Sequence, residues 1–409
     1  MGQYQQEWKN LAIFGAEPAF ANPLYVGRPN IGNKQSLFAR IEDMLSRRWL
    51  SNGGPFVQEL EHRIEQLLGV QHCIVTCNGT MALQIAARVL GLEGEVIVPS
   101  FTFVATAHAL EWIGLTPVFC DVDPLTHQIN PDEVERVLSP RTSGIVGVHL
   151  WGRTCDVESL EQIAKHHSLE LMFDAAHAFN CSRNGQMIGN FGKLEVLSFH
   201  ATKFFNTFEG GAIVTNDAAI AEKARLMRDF GFLATDTVVS VGTNGKMTEV
   251  AAAMGLTGLE SLNHIVETNR HNYKEYRNAL VNLPGISILP FDEAEQNNFH
   301  YVIIEIEEEV FGLSRDQLLQ ILNAEKVMVR RYFYPGCHRC EPYCSSSKYK
   351  GLLMPVTESL SDRVLALPNG TALVHGDVEK ICNIIKMISK NSQQIKQNLI
   401  KTKAQVSGV

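Results

Sequence analysis

The sequence predicts an α/β protein: a large domain on a mainly parallel seven-stranded sheet, followed by a small C-terminal α+β domain. Three observations carry this reading. From about residue 70, short β-branched runs ending in Gly, Ser or Asp alternate with longer segments of helical period, as expected for strands joined by crossover helices. About seven such runs precede residue 220. Beyond Pro284-Gly285 the alternation breaks and a differently ordered unit begins.

Taken in order, Cys73-Ile74-Val75-Thr76 leads into a helix from Thr80 to Leu90, and Glu95-Val96-Ile97-Val98 leads into one from Ala105. The runs continue with Pro117 to Asp121, Gly144 to Val148, Leu169 to Asp174, Glu195 to Ser198 and Gly211 to Thr215. Their near-continuous apolar character fits strands covered on both faces. Thr248 to Leu262 and Glu267 to Leu283 read as helices linking the two domains. In the second unit Tyr301 to Ile306 is a strand, and Ser314 caps a helix running to Glu325 with Asp316 in its first turn. Val327 to Arg331 and Val364 to Leu367 are further strands, followed by a helix from Asp377 to Ser389. The expected organisation is an arm over residues 1–34, a large domain over 35–265, a linking helix and small domain over 266–390, and a polar, frayed tail over 391–409.

With 409 residues, 45% hydrophobic and 20% charged, the chain can bury a large core and a second smaller one. A net charge of −8 with interspersed signs offers no basic field for nucleic acid and no polybasic membrane anchor. No apolar run approaches the roughly 18 residues that span a bilayer, and the first residues lack an export signal, so a cytoplasmic protein is expected. Nine cysteines, an odd number scattered through strands and loops, fit free thiols in a reducing compartment. Cys337-His338-Arg339-Cys340 with Cys344 resembles half of a zinc site, but no second ligand pair lies at a usual spacing and no metal is expected.

The chemistry concentrates in Asp174-Ala175-Ala176-His177 and Ser198-Phe199-His200-Ala201-Thr202-Lys203. A lysine beyond one apolar strand and a carboxylate closing the preceding one are what pyridoxal phosphate needs: an amine for the aldehyde and an anion for the ring nitrogen. Both fall where open α/β sheets hold ligands. Cys77-Asn78-Gly79-Thr80 joins a strand to a helix, where free N–H groups can meet a phosphate, and Ser198 can add a hydroxyl. Phe101 or Phe103 can stack on a flat ring. Neither a Gly-x-x-x-x-Gly-Lys-Ser/Thr loop nor a Gly-x-Gly-x-x-Gly turn occurs, which argues against nucleotide hydrolysis and dinucleotide binding.

In order, Asn78-Gly79-Thr80, Pro99-Ser100-Phe101-Thr102-Phe103, Asp174-Ala175-Ala176-His177, Ser198 to Lys203 and Glu209-Gly210-Gly211 resemble the fold-type I, DegT/StrS-like sugar aminotransferases. Val148-His149-Leu150-Trp151-Gly152, where the family often has Tyr for Trp151, and Gly242 to Glu249 extend the likeness. The resemblance implies that Lys203 forms the Schiff base and shuttles the proton, while Asp174 pairs with the pyridinium. It places His177, where many relatives have Gln, near the phenolic oxygen, Phe103 on the ring, and Gly79, Thr80 and Ser198 around the phosphate. It further implies that Asn244 reaches the phosphate of a neighbouring subunit, hence a homodimer with shared active sites. The implied donor is L-glutamate and the acceptor a nucleotide-linked keto sugar. The segment Arg330 to His338 is most similar to enzymes aminating C4 of dTDP-4-keto-6-deoxyglucose, with Arg331, Tyr332 and His338 as expected sugar-nucleotide contacts. Amination at C3 of such a sugar, or a non-enzymatic regulatory role, are the alternatives.

Overall fold

The computed structural model describes residues 8–406, with side chains to residue 401. Seven strands form one sheet: β1 (His72–Thr76), β2 (Glu95–Pro99), β3 (Thr116–Cys120), β4 (Thr142–Val148), β5 (Glu170–Asp174), β6 (Leu194–Ser198) and β7 (Gly211–Thr215). Their spatial order is β1-β7-β6-β5-β4-β2-β3. Only β7 runs against its neighbours, β1 and β6; the other pairs are parallel. Every strand lies within two residues of its expected bounds.

Side chains along each strand alternate between two apolar layers. Cys73, Val75 and Ile97 face a core holding Leu60 and Ile64, whereas Ile74, Val96 and Val98 face one holding Leu83 and Ala86. Each fully buried Ile or Val contributes about 1.5–3 kcal/mol. The carboxyl ends of β1, β5 and β6 and the start of β7 therefore open on one edge, with Thr76 and Ser198 both in register with Gly211.

The second unit is a three-stranded antiparallel sheet of β8 (Ile286–Ile288), β9 (Val302–Ile306) and β10 (Val364–Leu367), with β9 in the middle. Ser314 caps the helix Arg315–Ala324 through a reciprocal bond pair with Gln317. Trp8, Leu11 and Phe20 join the core of this unit, and Leu24–Tyr25 pairs in parallel with Val327–Met328. The expected arm is thus partly built into the small domain.

Three expectations need correction. The helix Glu249–Glu260 belongs to the large core, with Ala252, Ala253 and Leu256 inaccessible, because its small residues allow close packing. The linking helix begins at Leu262, next to the Ser261 bend, and runs to Leu280. The strand expected over Val327 to Arg331 pairs only at Val327–Met328, Arg330 then making an isolated bridge to Ala366.

The tail was expected to fray, yet Ser392–Val406 is helical. Ile395 is fully buried in the small-domain core and Leu399 nearly so, which outweighs the polar composition around them. Replacing Ile395 by Ala should therefore cost about 2 kcal/mol in denaturant unfolding; an unchanged midpoint would mean that this helix does not contribute to the core.

Candidate active site

A cavity of about 330 Å³ opens at the carboxyl edge of the large sheet, with Arg330, Tyr332 and Phe333 of the small domain forming one wall. It gathers Gly79, Thr80, Phe103, Asp174, His177, Ser198, Lys203 and Tyr332 from the residues singled out in the sequence. That size suits a small-molecule site.

One end is shaped for an anion. Asn78 leaves β1 in extended conformation and caps the helix Gly79–Val89 by accepting from Met81 N–H at 2.8 Å. The first N–H groups of that helix have no partner within it and carry the positive end of its dipole. A Cβ on Gly79 would lie 3.0 Å from the Ser198 Cβ, and one on Gly211 only 2.7 Å from the Gly79 nitrogen. Glycines thus let β6, β7 and the helix start converge, setting the Thr80 and Ser198 hydroxyls beside the helix N-terminus.

Farther in, Asp174 closes β5 and is buried. Its carboxylate accepts from the Thr106 hydroxyl at 2.8 Å and from Ala176 N–H at 3.1 Å, which fixes its orientation. Lys203 ends a tight turn in which its N–H donates to the His200 carbonyl at 2.9 Å. Burial pushes its amine down to about 8; Asp174 pulls the other way and Arg330 adds to the fall. An amine whose charged form burial disfavours and a carboxylate thus share one enclosed space.

His177 lies against Tyr301, ring centroids 4.4 Å apart, and is held well below the usual imidazole range by burial first, then by Lys203 and His300. Its Nδ1 accepts from Trp151 N–H at 3.3 Å, so in the neutral ring Nε2 carries the proton and can donate. Trp151 takes φ 57°, and this left-handed turn aims its N–H at that ring. Phe103, 55% exposed, lines the cavity, while Phe101 is buried edge-on against Trp151 and Phe333.

Three expected residues stand elsewhere. Arg330 and the adjacent pair Tyr332 and Phe333 line the cavity, whereas Arg331 does not. Arg331 reaches Asp316 at 3.3 Å and lies over the Tyr334 ring. His338 is buried, bonded through Nδ1 to the Ser100 hydroxyl at 2.6 Å and through Nε2 to Glu358 at 3.2 Å, and holds two loops together. Asn244 is exposed and outside the cavity, bridged to Asp229. Sequence reasoning missed Arg330, which neighbours the chosen Arg331 and is the only arginine lining the cavity among the described residues. His149, also missed, lines the cavity and sits 3.4 Å from the inaccessible Glu195 carboxylate. Among the described residues no cluster of three or more His, Cys, Asp or Glu is placed to hold a metal, and all nine cysteines are free.

Residues 32–386 match the DegT/DnrJ/EryC1/StrS aminotransferase family. The chain belongs to this family. The aminotransferase is 37% identical over 366 residues to the dTDP-4-amino-4,6-dideoxy-D-glucose transaminase of Shigella dysenteriae, covering 90% of this chain and 99% of that one. It is 30% identical to the GDP-perosamine synthase of Vibrio cholerae, over 85% of this chain and 94% of the other. Among solved structures, DesI in the presence of its TDP-sugar product is 46% identical and superimposes with a TM-score of 0.90 over 97% of this chain and 99% of that one. No helix among the described residues is long and apolar enough to cross a membrane.

The site makes a titration prediction. The reactive, uncharged form of Lys203 grows as pH rises through its pKa, so acylation by an amine-directed reagent, mapped by peptide analysis, should reach half its maximal rate near pH 8 rather than near 10.5. A midpoint near 10.5 would mean that the amine is solvated.

Proposed function

We propose that the enzyme binds pyridoxal 5′-phosphate in this cavity and transfers the amino group of L-glutamate to C4 of dTDP-4-keto-6-deoxy-D-glucose, giving dTDP-4-amino-4,6-dideoxy-D-glucose. The observation that carries the reading is the meeting of Lys203, Asp174 and the Gly79-Thr80-Ser198 anion cup in one space. The cavity fits the cofactor, because the close approach of Gly79 to Ser198 and the fixed Asp174 carboxylate supply an anion site and a separate anion. Pyridoxal phosphate supplies an aldehyde that exchanges amines and a ring that takes up electrons.

The protein's own groups do the rest. Gly79, Thr80 and Ser198 bind the phosphate, and Asp174 holds a proton on the ring nitrogen. His177, neutral with Nε2–H available, donates to the phenolic oxygen. Lys203 would supply the amine for the aldehyde and, once displaced from it by the donor's amine, would take the proton from the substrate carbon and return it to the carbon on the far side of the intervening nitrogen. Arg330 offers a guanidinium to the carboxylates of the donor or the diphosphate of the acceptor. Phe103 covers the ring, and Tyr332 adds a hydroxyl to the sugar side. Support for the dTDP-linked 4-keto sugar comes from the likeness to the Shigella transaminase and to DesI.

The same reading includes a homodimer with shared sites. Asn244 lies on a segment whose Phe230, Phe232, Leu233, Val238, Val239 and Val241 side chains are exposed. Covering these by a second copy would carry Asn244 toward the partner's phosphate end.

Lys203→Ala should abolish the yellow absorbance of the holoenzyme and lower turnover by at least about a thousandfold; unchanged colour and rate would rule out this site. Arg330→Ala should raise the KM for glutamate about tenfold. Incubating enzyme and glutamate with the dTDP-4-keto sugar, its 3-keto isomer and a GDP-linked 4-keto sugar should give an amino sugar from the first. A product from either of the others alone would overturn the substrate assignment.

A further inference from the structure

The turn that carries Lys203 is gripped from outside the large sheet at two buried points, neither of which lines the cavity. His300, in the short segment entering β9, is 4% exposed and lies 3.1 Å from the Thr202 carbonyl through Nε2. A carbonyl only accepts, so Nε2 carries the proton and donates, leaving Nδ1 as an unpartnered acceptor. Asn298 fixes the approach: its Oδ1 accepts from His300 N–H at 3.1 Å while its amide donates to the His177 and Phe179 carbonyls.

On the other side, Asn30 is 2% exposed and uses both ends of its side chain. Nδ2 donates to the Phe204 carbonyl at 3.0 Å, and Oδ1 accepts from the Thr371 N–H and hydroxyl, each at 3.0 Å. Its own carbonyl accepts from the Asn206 amide at 2.8 Å. Gly27 comes close enough that a Cβ there would lie 2.9 Å from the Thr202 Cβ. Residues 202 to 206 are thus bonded to the small domain by His300 and, through Asn30, to Thr371.

We propose that His300 and Asn30 are positioning residues that clamp the Lys203 turn between the N-terminal segment and the small domain, holding the amine in its enclosed place. This rests on the reading of Lys203 as the cofactor lysine. Phe204 and Phe205, buried in the large core, and the Thr207 N–H bond to the Phe199 carbonyl anchor the far side of the turn, so the two outer bonds are what set the placement of residues 202 to 204 beside the cavity. The charged or titratable groups facing Lys203 are Asp174 from β5, His177 from the following turn, Arg330 from the small-domain wall and His300 itself. The clamp variants leave the first three in place.

A loosened turn lets water reach the lysine nitrogen, and water favours its protonated form. In His300→Phe and Asn30→Ala holoenzymes, the pH at which the yellow absorbance titrates should rise by about half a unit or more, with kcat/KM for glutamate falling about tenfold. His300→Gln, which can present an N–H to the Thr202 carbonyl, should restore the native titration. Thr371→Val, which removes one hydroxyl from Asn30, keeps the test alive should Asn30→Ala unfold, and should shift the titration in the same direction by less. Native titration in folded His300→Phe and Thr371→Val proteins would overturn the clamp, as would an equal shift in His300→Gln and His300→Phe. Failure of the underlying reading is distinguishable: it would appear as a yellow band surviving Lys203→Ala.

Discussion

An amine whose charge burial disfavours, within reach of a fixed carboxylate, is the demand around which this molecule is arranged. Burial lowers Lys203, but burial acts on any charge, so a carboxylate in the same space needs donors of its own. Asp174 has two, a threonine hydroxyl from one helix and an amide from its own turn. Both come from elements whose positions follow from the sheet, since β5 delivers the carboxylate and β6 the turn that ends in the lysine. The apolar layers on either face of that sheet keep the two strand ends from drifting apart.

The small domain contributes more than a wall. Buried asparagines do much of the joining: Asn298 bonds the His177 and Phe179 carbonyls, and Asn30 links the loop after Lys203 to Thr371. An amide in such a position makes several directed bonds while carrying no charge, so it fixes two backbones relative to each other without adding to the field at the lysine. The cavity is consequently assembled from two units whose relation is specified by hydrogen-bond geometry as well as by apolar contact.

The fold was largely legible because strands buried on both faces announce themselves as continuous apolar runs, and the seven runs marked all seven strands. The cavity residues on β1, β5 and β6 were legible for the same reason, since a Gly, Asp or Ser ending such a run falls at the ligand edge. What escaped was governed by tertiary packing. The tail reads as polar because, among its described residues, only Ile395 and Leu399 are buried deeply, too few for a periodic signal. His338 looks like a substrate contact until Ser100 and Glu358, distant in sequence, are seen to enclose it. Arg330 and Arg331 are chemically identical neighbours, and composition cannot say which faces inward.

That last pair has an implication for how such sites diverge. Because Arg330 is held by its bridge to Ala366, two residues beyond the pairing at Val327–Met328, losing one residue between them would bring Arg331 to the bridged position in its place. The side chain presented at that point of the cavity wall would change, with Asp174 and Lys203 on the large-domain side untouched. Which of two adjacent arginines reaches the cavity can therefore change with the length of chain between the strand and the bridge.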